Sequence, residues 1–219
     1  MDGERGSVLV TGGTRRIGAA ICARLRADGW RVLVHARTAG EGVLAQELSE
    51  PMAAARLFSA AVAAAPDLRA IVNSAAEFSP AAELPAADEA RLRRVNFEVP
   101  RALATLLAGF EDGVVRSVVN LTDASVVGRA PRTPYERTKA DLAAWTRTAA
   151  GLFADTLRVN AVAPGPVLPP ENAHVRGGET LLARRPTPED VADAVAYLLD
   201  ARSVTGVELP VDGGGWLIG

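Results

Sequence analysis

Ser7-Val8-Leu9-Val10-Thr11-Gly12-Gly13-Thr14-Arg15-Arg16-Ile17-Gly18 is the stretch from which the fold is read. Its first five residues are apolar or β-branched and predict a short buried strand. The strand runs directly into a glycine-bearing turn. Beyond the turn, from roughly Gly18 to Asp28, Ile17, Ile21, Cys22 and Leu25 recur on one helical face. Gly29 stands where a helix C-terminal glycine belongs, and Arg31-Val-Leu-Val-His35 predicts a second strand. Strand, glycine-rich turn, helix and strand together open a βαβ unit that binds a nucleotide phosphate at the helix N-terminus. The turn residues that would surround that phosphate are Gly12, Thr14, Arg15, Arg16, Ile17 and Gly18.

The end of the second strand bears on which nucleotide. An NAD site places an acid about 20 residues past the turn, where it bonds the ribose hydroxyls. Here the strand ends His35-Ala36-Arg37-Thr38, without an acid. Arg37, Thr38 and Arg16 can instead hold a 2′-phosphate, because a guanidinium matches phosphate geometry in two bonds at once. NADP(H) is therefore the expected cofactor.

The remaining chain continues the alternation. Glu41 to Leu48 has room for a strand at Val43–Leu48 but not for the usual helical crossover, so a trimmed loop is expected there. A helix is predicted from Pro51 to Ala65, a strand over Leu68–Asn73, a long helix from about Ala87 to Gly109 and a strand over Val114–Leu121. Then come a helix over Tyr135–Phe153, a strand from Leu157 and a Pro/Gly-rich loop over residues 166–185. The loop reads as a substrate cover. Thr187-Pro188-Glu189-Asp190 opens a capped helix, and Val204–Val211 is the last strand. The expectation is a single doubly wound α/β domain of Rossmann type over residues 1–219. Its seven-stranded, mostly parallel sheet would carry helices on both faces.

Lys139 is the only lysine in the chain, and it lies four residues after Tyr135, one of two tyrosines. On a helix these positions share a face. A phenol beside a fixed ammonium has its anion stabilised, so its pKa is expected to fall toward neutrality, where it can exchange protons. Composition excludes other classes. The net charge of −2 gives no reason to expect nucleic acid or an anionic membrane as partner. One cysteine and two histidines, His35 and His174, do not make metal-ligand spacing, so no metal site is expected. No run of membrane length and no leader of the charged-then-apolar kind is present, which gives a soluble, cytoplasmic expectation.

Thr11-Gly12-Gly13-Thr14-Arg15-Arg16-Ile17-Gly18, Asn73-Ser74-Ala75, Asn96, Tyr135/Lys139, Asn160, Pro164-Gly165 and Val204-Thr205-Gly206 occur in this order along the chain. Together they resemble the short-chain dehydrogenase/reductase family, nearly end to end. Arg16 replaces that family's middle turn glycine. Arg16, Arg37-Thr38, Phe78 and Asp123 are similar to the pteridine and dihydromonapterin reductase branch, Asp123 standing where the family has serine. The resemblance implies cofactor contacts from Asn73, Ser74, Ala75, Pro164, Gly165 and Lys139, with Glu47 and Leu48 beside the adenine. It implies catalytic roles for Tyr135, Lys139, Asp123 and Asn96, Asn96 holding a water that connects Lys139 to solvent. Phe78, Asp123 and Tyr135 would meet the substrate. The implied activity is hydride transfer from NADPH to a pterin-like C=N bond. An NADPH-dependent ketone or 3-oxoacyl reductase is the alternative, and a silent NADP-binding sensor or scaffold is an alternative of another class. The family's usual pairing of long helices gives a homodimer or homotetramer as the expected assembly.

Overall fold

The computed structural model describes residues 5–167, 180–182 and 184–218. Seven strands form one sheet: β1 (Ser7–Thr11), β2 (Arg31–Ala36), β3 (Val43–Ala45), β4 (Leu68–Asn73), β5 (Arg116–Leu121), β6 (Leu157–Pro164) and β7 (Glu208–Val211). Their spatial order is β3-β2-β1-β4-β5-β6-β7, and every neighbouring pair is parallel. The chain builds outward from β1 to one edge, returns, and builds β4 to β7 on the other side. β1 and β4, paired through Thr11 and Asn73 at their tips, therefore flank the switch point.

Both faces of a parallel sheet must be covered, which explains why β1 and β5 are buried at every residue and β4 at all but Arg69. Helices α1 (Arg16–Ala27) and α6 (Pro188–Asp200) pack together on one face, over Val8, Val10, Val72 and Val162. Helices α2 (Ala53–Ala64), α4 (Val99–Ala108) and α5 (Pro134–Leu152) cover the other, over Leu9, Ile71, Val118 and Val159. Alternate residues of each strand thus feed opposite cores. α1 ends as its glycine requires: Gly29, at φ 86°, donates to Arg26 O and Trp30 donates to Leu25 O. α6 starts on a capping box in which Thr187 and Asp190 bond each other's backbone N–H.

Several boundaries differ from expectation. Pro51 does not start α2; Met52 takes a left-handed conformation (φ 61°) and the helix begins at Ala53. The helix expected over 87–109 is three pieces: α3 (Ala86–Arg93), a π turn at Arg94–Glu98, and α4. β5 begins at Arg116 and β7 at Glu208, later than their apolar runs suggest. The connection from β2 to β3 is a loop without a helix. It suffices because β3 is three residues long and starts opposite Val34, so the chain retraces only a short distance. Of the expected cover over 166–185, residues 168–179 and 183 lie outside the described residues. Among the described residues, no helix is long and apolar enough to cross a membrane.

Candidate active site

At the carboxyl ends of the central strands lies a cleft of about 1070 Å³, the place where open parallel sheets bind ligands. Gly12, Thr14, Arg15, Arg16, Ile17 and Gly18 form one wall. Arg37, Thr38, Glu47 and Leu48 close one end, and Asp123, Tyr135 and Gly165 the other, with Ser74, Ala75 and Phe78 between. Four expected site residues, Asn73, Asn96, Lys139 and Pro164, stand behind this wall and do not line it.

The turn is built by close approach. Gly12 has φ 66°, and a Cβ there would meet Ala75 Cα at 2.9 Å, so only glycine lets β1 and the β4 exit lie this near. Thr11 ties the two together, its hydroxyl accepting from Ser74 N (3.1 Å) and Ala75 N (3.0 Å). α1 then starts at Arg16, which itself adopts a left-handed conformation (φ 54°). A side chain in that region costs about 1–3 kcal/mol of backbone strain. The unsatisfied N–H groups of the first turn supply partial positive charge at the cleft. Arg15, Arg16 and Arg37 are exposed, and among the described residues none is in an ion pair. Glu47, at the same end of the cleft, is turned onto Ser49, accepting from its N–H (2.9 Å) and hydroxyl (2.8 Å), which holds its pKa below the usual range.

At the other end, Thr133 caps α5 by accepting from Glu136 N, and Pro134 opens the helix. Tyr135 and Lys139 follow one turn apart. The Tyr135 hydroxyl donates to Asp123 Oδ2 at 2.8 Å. The other carboxylate oxygen of Asp123 accepts from Ser125 N at 2.9 Å and caps the 3-10 turn Ala124–Val126. One side chain thus caps the turn and holds the phenol. Lys139 is buried, donates to Leu121 O (2.8 Å) and sits 5.8 Å from the Tyr135 ring centroid. Phe78 meets the Tyr135 ring edge-on at 5.0 Å while 72% exposed, leaving an aromatic surface open to the cleft.

The electrostatics reverse one expectation. Burial, then the Asp123 carboxylate, push the Tyr135 phenol well above its ordinary pKa instead of toward neutrality. Lys139 is the group that shifts toward neutrality: burial lowers its pKa to about 8. Its ammonium is aimed at the Leu121 carbonyl and has no direct bond to the phenol, so burial and the carboxylate prevail.

Two further residues take different positions from those expected. Asn73 is not at the cofactor wall; its amide donates to Asn120 Oδ1 (2.8 Å) inside the sheet, and Asn120 donates to Thr146. Asn96 sits on the π turn, accepts from Glu77 N (2.8 Å) and donates to Glu77 O (2.9 Å) and Thr138 Oγ1 (3.2 Å). It anchors the loop that carries Phe78. Pro164 ends β6 and is buried beside the cleft-lining Gly165. The cleft also contains His35, Glu77, Arg91 and Val95. Arg91 binds Glu77 through two nitrogens (2.7 and 3.0 Å) from a helix 14 residues away, with no spacing signal to mark it.

A doubly wound parallel sheet with a glycine turn at its switch point and a Tyr–Lys pair at the neighbouring strand tips defines a nucleotide-dependent oxidoreductase. The chain belongs to the short-chain dehydrogenase/reductase family: a family model described as enoyl-(acyl carrier protein) reductase matches residues 12–215. It is 34% identical, over 96% of both chains, to a protein described as ketoacyl reductase 2 of the granaticin polyketide synthase of Streptomyces violaceoruber. It is 31% identical to the dihydromonapterin reductase of Citrobacter koseri, over 94% of this chain and 95% of that one. Its structure is similar to that of FolM alternative dihydrofolate reductase 1 from Brucella canis, solved in complex with NADP. The TM-score is 0.88 at 30% identity, covering 98% and 96% of the two chains.

Proposed function

We propose that this protein is an NADPH-dependent reductase of a pterin-like C=N bond. The observation that carries the reading is the Tyr135–Asp123 hydrogen bond beside the open ring of Phe78. The cofactor end fits NADP(H): the α1 N-terminus opens on it, Arg15, Arg16 and Arg37 have no ion-pair partner among the described residues and suit a 2′-phosphate, and Glu47 is occupied by Ser49. When bound, the reduced nicotinamide supplies the hydride.

The chain's own groups supply the proton and the orientation. Tyr135, with its pKa held high, keeps its proton at rest and serves as acid. An amino-imino edge presents N–H donors, and the Asp123 carboxylate offers them stronger acceptor oxygens than the single hydroxyl of a serine. Substrate binding there releases the phenol from Asp123. Lys139, charged behind Tyr135, then stabilises the phenolate as the proton leaves. Phe78 offers a face to a flat heterocycle. Asn96 positions that loop. The exposed sides of α4 and α5, with Leu106 and Leu152, are the surfaces proposed for a symmetric dimer or tetramer.

The likeness to a ketoacyl reductase supports a second reading, reduction of a C=O, for which Tyr135 and Lys139 suffice without Asp123. Dihydrobiopterin, dihydrofolate and dihydromonapterin assayed against simple ketones and 3-oxoacyl thioesters separate the two. Asp123→Ser is expected to lower kcat/KM for pterins by about tenfold or more and for ketones by less. Equal losses would make the protein a carbonyl reductase. Tyr135→Phe should abolish turnover of either.

A further inference from the structure

We infer that His35 is a positioning residue for the nucleotide turn, holding it only while the imidazole is neutral. The inference rests on the nucleotide reading of that turn. His35 is 1% exposed at the end of β2. Its Nδ1 accepts from Gly12 N at 3.2 Å, and its Nε2 lies 2.9 Å from Gln46 O. An amide N–H can only donate and a carbonyl can only accept, so the geometry requires a bare Nδ1 and a proton on Nε2. The backbone adds a third tie, Gly13 N donating to His35 O at 3.0 Å.

With the β2–β3 connection reduced to a loop and β3 to three residues, little secondary structure joins the turn to the segment carrying Glu47 and Leu48. His35 spans that gap, from Gly12 on one side to Gln46 on the other. A second proton would go onto Nδ1 and face the Gly12 N–H, donor against donor, so the turn would have to move.

Glu47, from the segment after β3, is the charged group that acts on the ring; Arg15 and Arg16 of the turn and Arg37 of its own strand end line the same cleft. The Cys22 thiol of α1 lies beneath Gly13. Burial lowers the His35 pKa and outweighs the opposing pull of Gln46 O and Glu47. The neutral ring is therefore the resident form at neutral pH. Its contribution is full above the unfolded value of about 6.5 and declines as pH falls below it.

The test is calorimetric titration of NADP+ into wild type, His35→Asn and His35→Gln between pH 5.5 and 7.5. Asparagine keeps an acceptor near Gly12 and cannot titrate; glutamine keeps a donor for Gln46 and withdraws the acceptor. At pH 7.5 the Gln variant should bind about tenfold more weakly, and the Asn variant within about threefold of wild type. The 2′-phosphate titrates identically in all three proteins. Wild type should therefore lose about threefold more affinity than His35→Asn on going to pH 5.5. Parallel pH profiles, or a Gln variant that binds like wild type, would overturn the inference. If the variants fail to fold, 15N spectra of the wild-type imidazole decide: a protonated Nδ1 at pH 7.5 overturns it, and a bare Nδ1 upholds it. Failure of wild type to bind NADP+ at all would instead remove the nucleotide reading on which it rests.

Discussion

Arg16 shows how much a single position can carry. It occupies a left-handed backbone that glycine would adopt without strain, yet it presents a guanidinium to the cleft that is unpaired among the described residues. Strain retained at a binding wall is what function at the expense of stability looks like. Arg16→Gly should raise stability by about 1 kcal/mol, the strain relief exceeding the added freedom of the unfolded chain. The same change should reduce the preference for NADPH over NADH. Melting temperatures and the ratio of kcat/KM for the two cofactors check both halves; a lower melting temperature would refute the strain argument. Tyr135 makes a related point. Its spacing to Lys139 predicts an acidified phenol, but burial, and then the hydrogen-bonded Asp123 carboxylate, raise the pKa. A partner 12 residues away in the chain outranks one a helical turn away because it lies within hydrogen-bond distance.

Among the elements, the π turn at Arg94–Glu98 matters most to the site. It inserts into what sequence periodicity presents as one helix and points Asn96 at both backbone groups of Glu77. The loop from Ser74 to Phe78 has no secondary structure of its own, so these bonds, with those from Thr11, fix the place of Phe78. Asn96→Ala removes three bonds at a site 1% exposed and leaves Glu77 unsatisfied. It should cost about 2–3 kcal/mol in denaturant unfolding and lower kcat even where the protein is folded. An unchanged midpoint would show that water satisfies Glu77 equally well. The β2–β3 loop is the opposite case. Its brevity was legible because residues between two strands can be counted, whereas the π turn has no compositional mark.

Over the whole molecule, burial of Lys139 links activity to stability through pH. Its folded pKa of about 8 lies below the ordinary 10.5. Between those values the unfolded chain holds a proton that the fold releases, so this term makes stability rise with pH; below about 8 the full penalty stands. Tyr135 acts in the other direction above pH 10, where the fold keeps a proton that the unfolded chain loses. Lys139→Met, apolar and of similar length, should therefore melt higher than wild type at pH 7, with the difference shrinking toward pH 10. A difference that widens with pH would contradict the linkage. Turnover should be lost throughout.

What the sequence by itself determined is the alternation and what hangs on it. Strand and helix periodicities, the glycine turn, the acid-free β2 end, the capped α6 and the i,i+4 Tyr–Lys pair are local properties, encoded within a few residues of where they act. Only the tertiary structure decided the partners. Asn73 bonds Asn120 across two strands, Asp123 joins the phenol to a cap, and His35 ties the turn to Gln46. Apart from the cap itself, these bonds link groups from 11 to 47 residues apart. Which donor meets which acceptor depends on strand register and on the rotamers that close packing permits. Those are set by the whole sheet and its two cores, not by any stretch of chain.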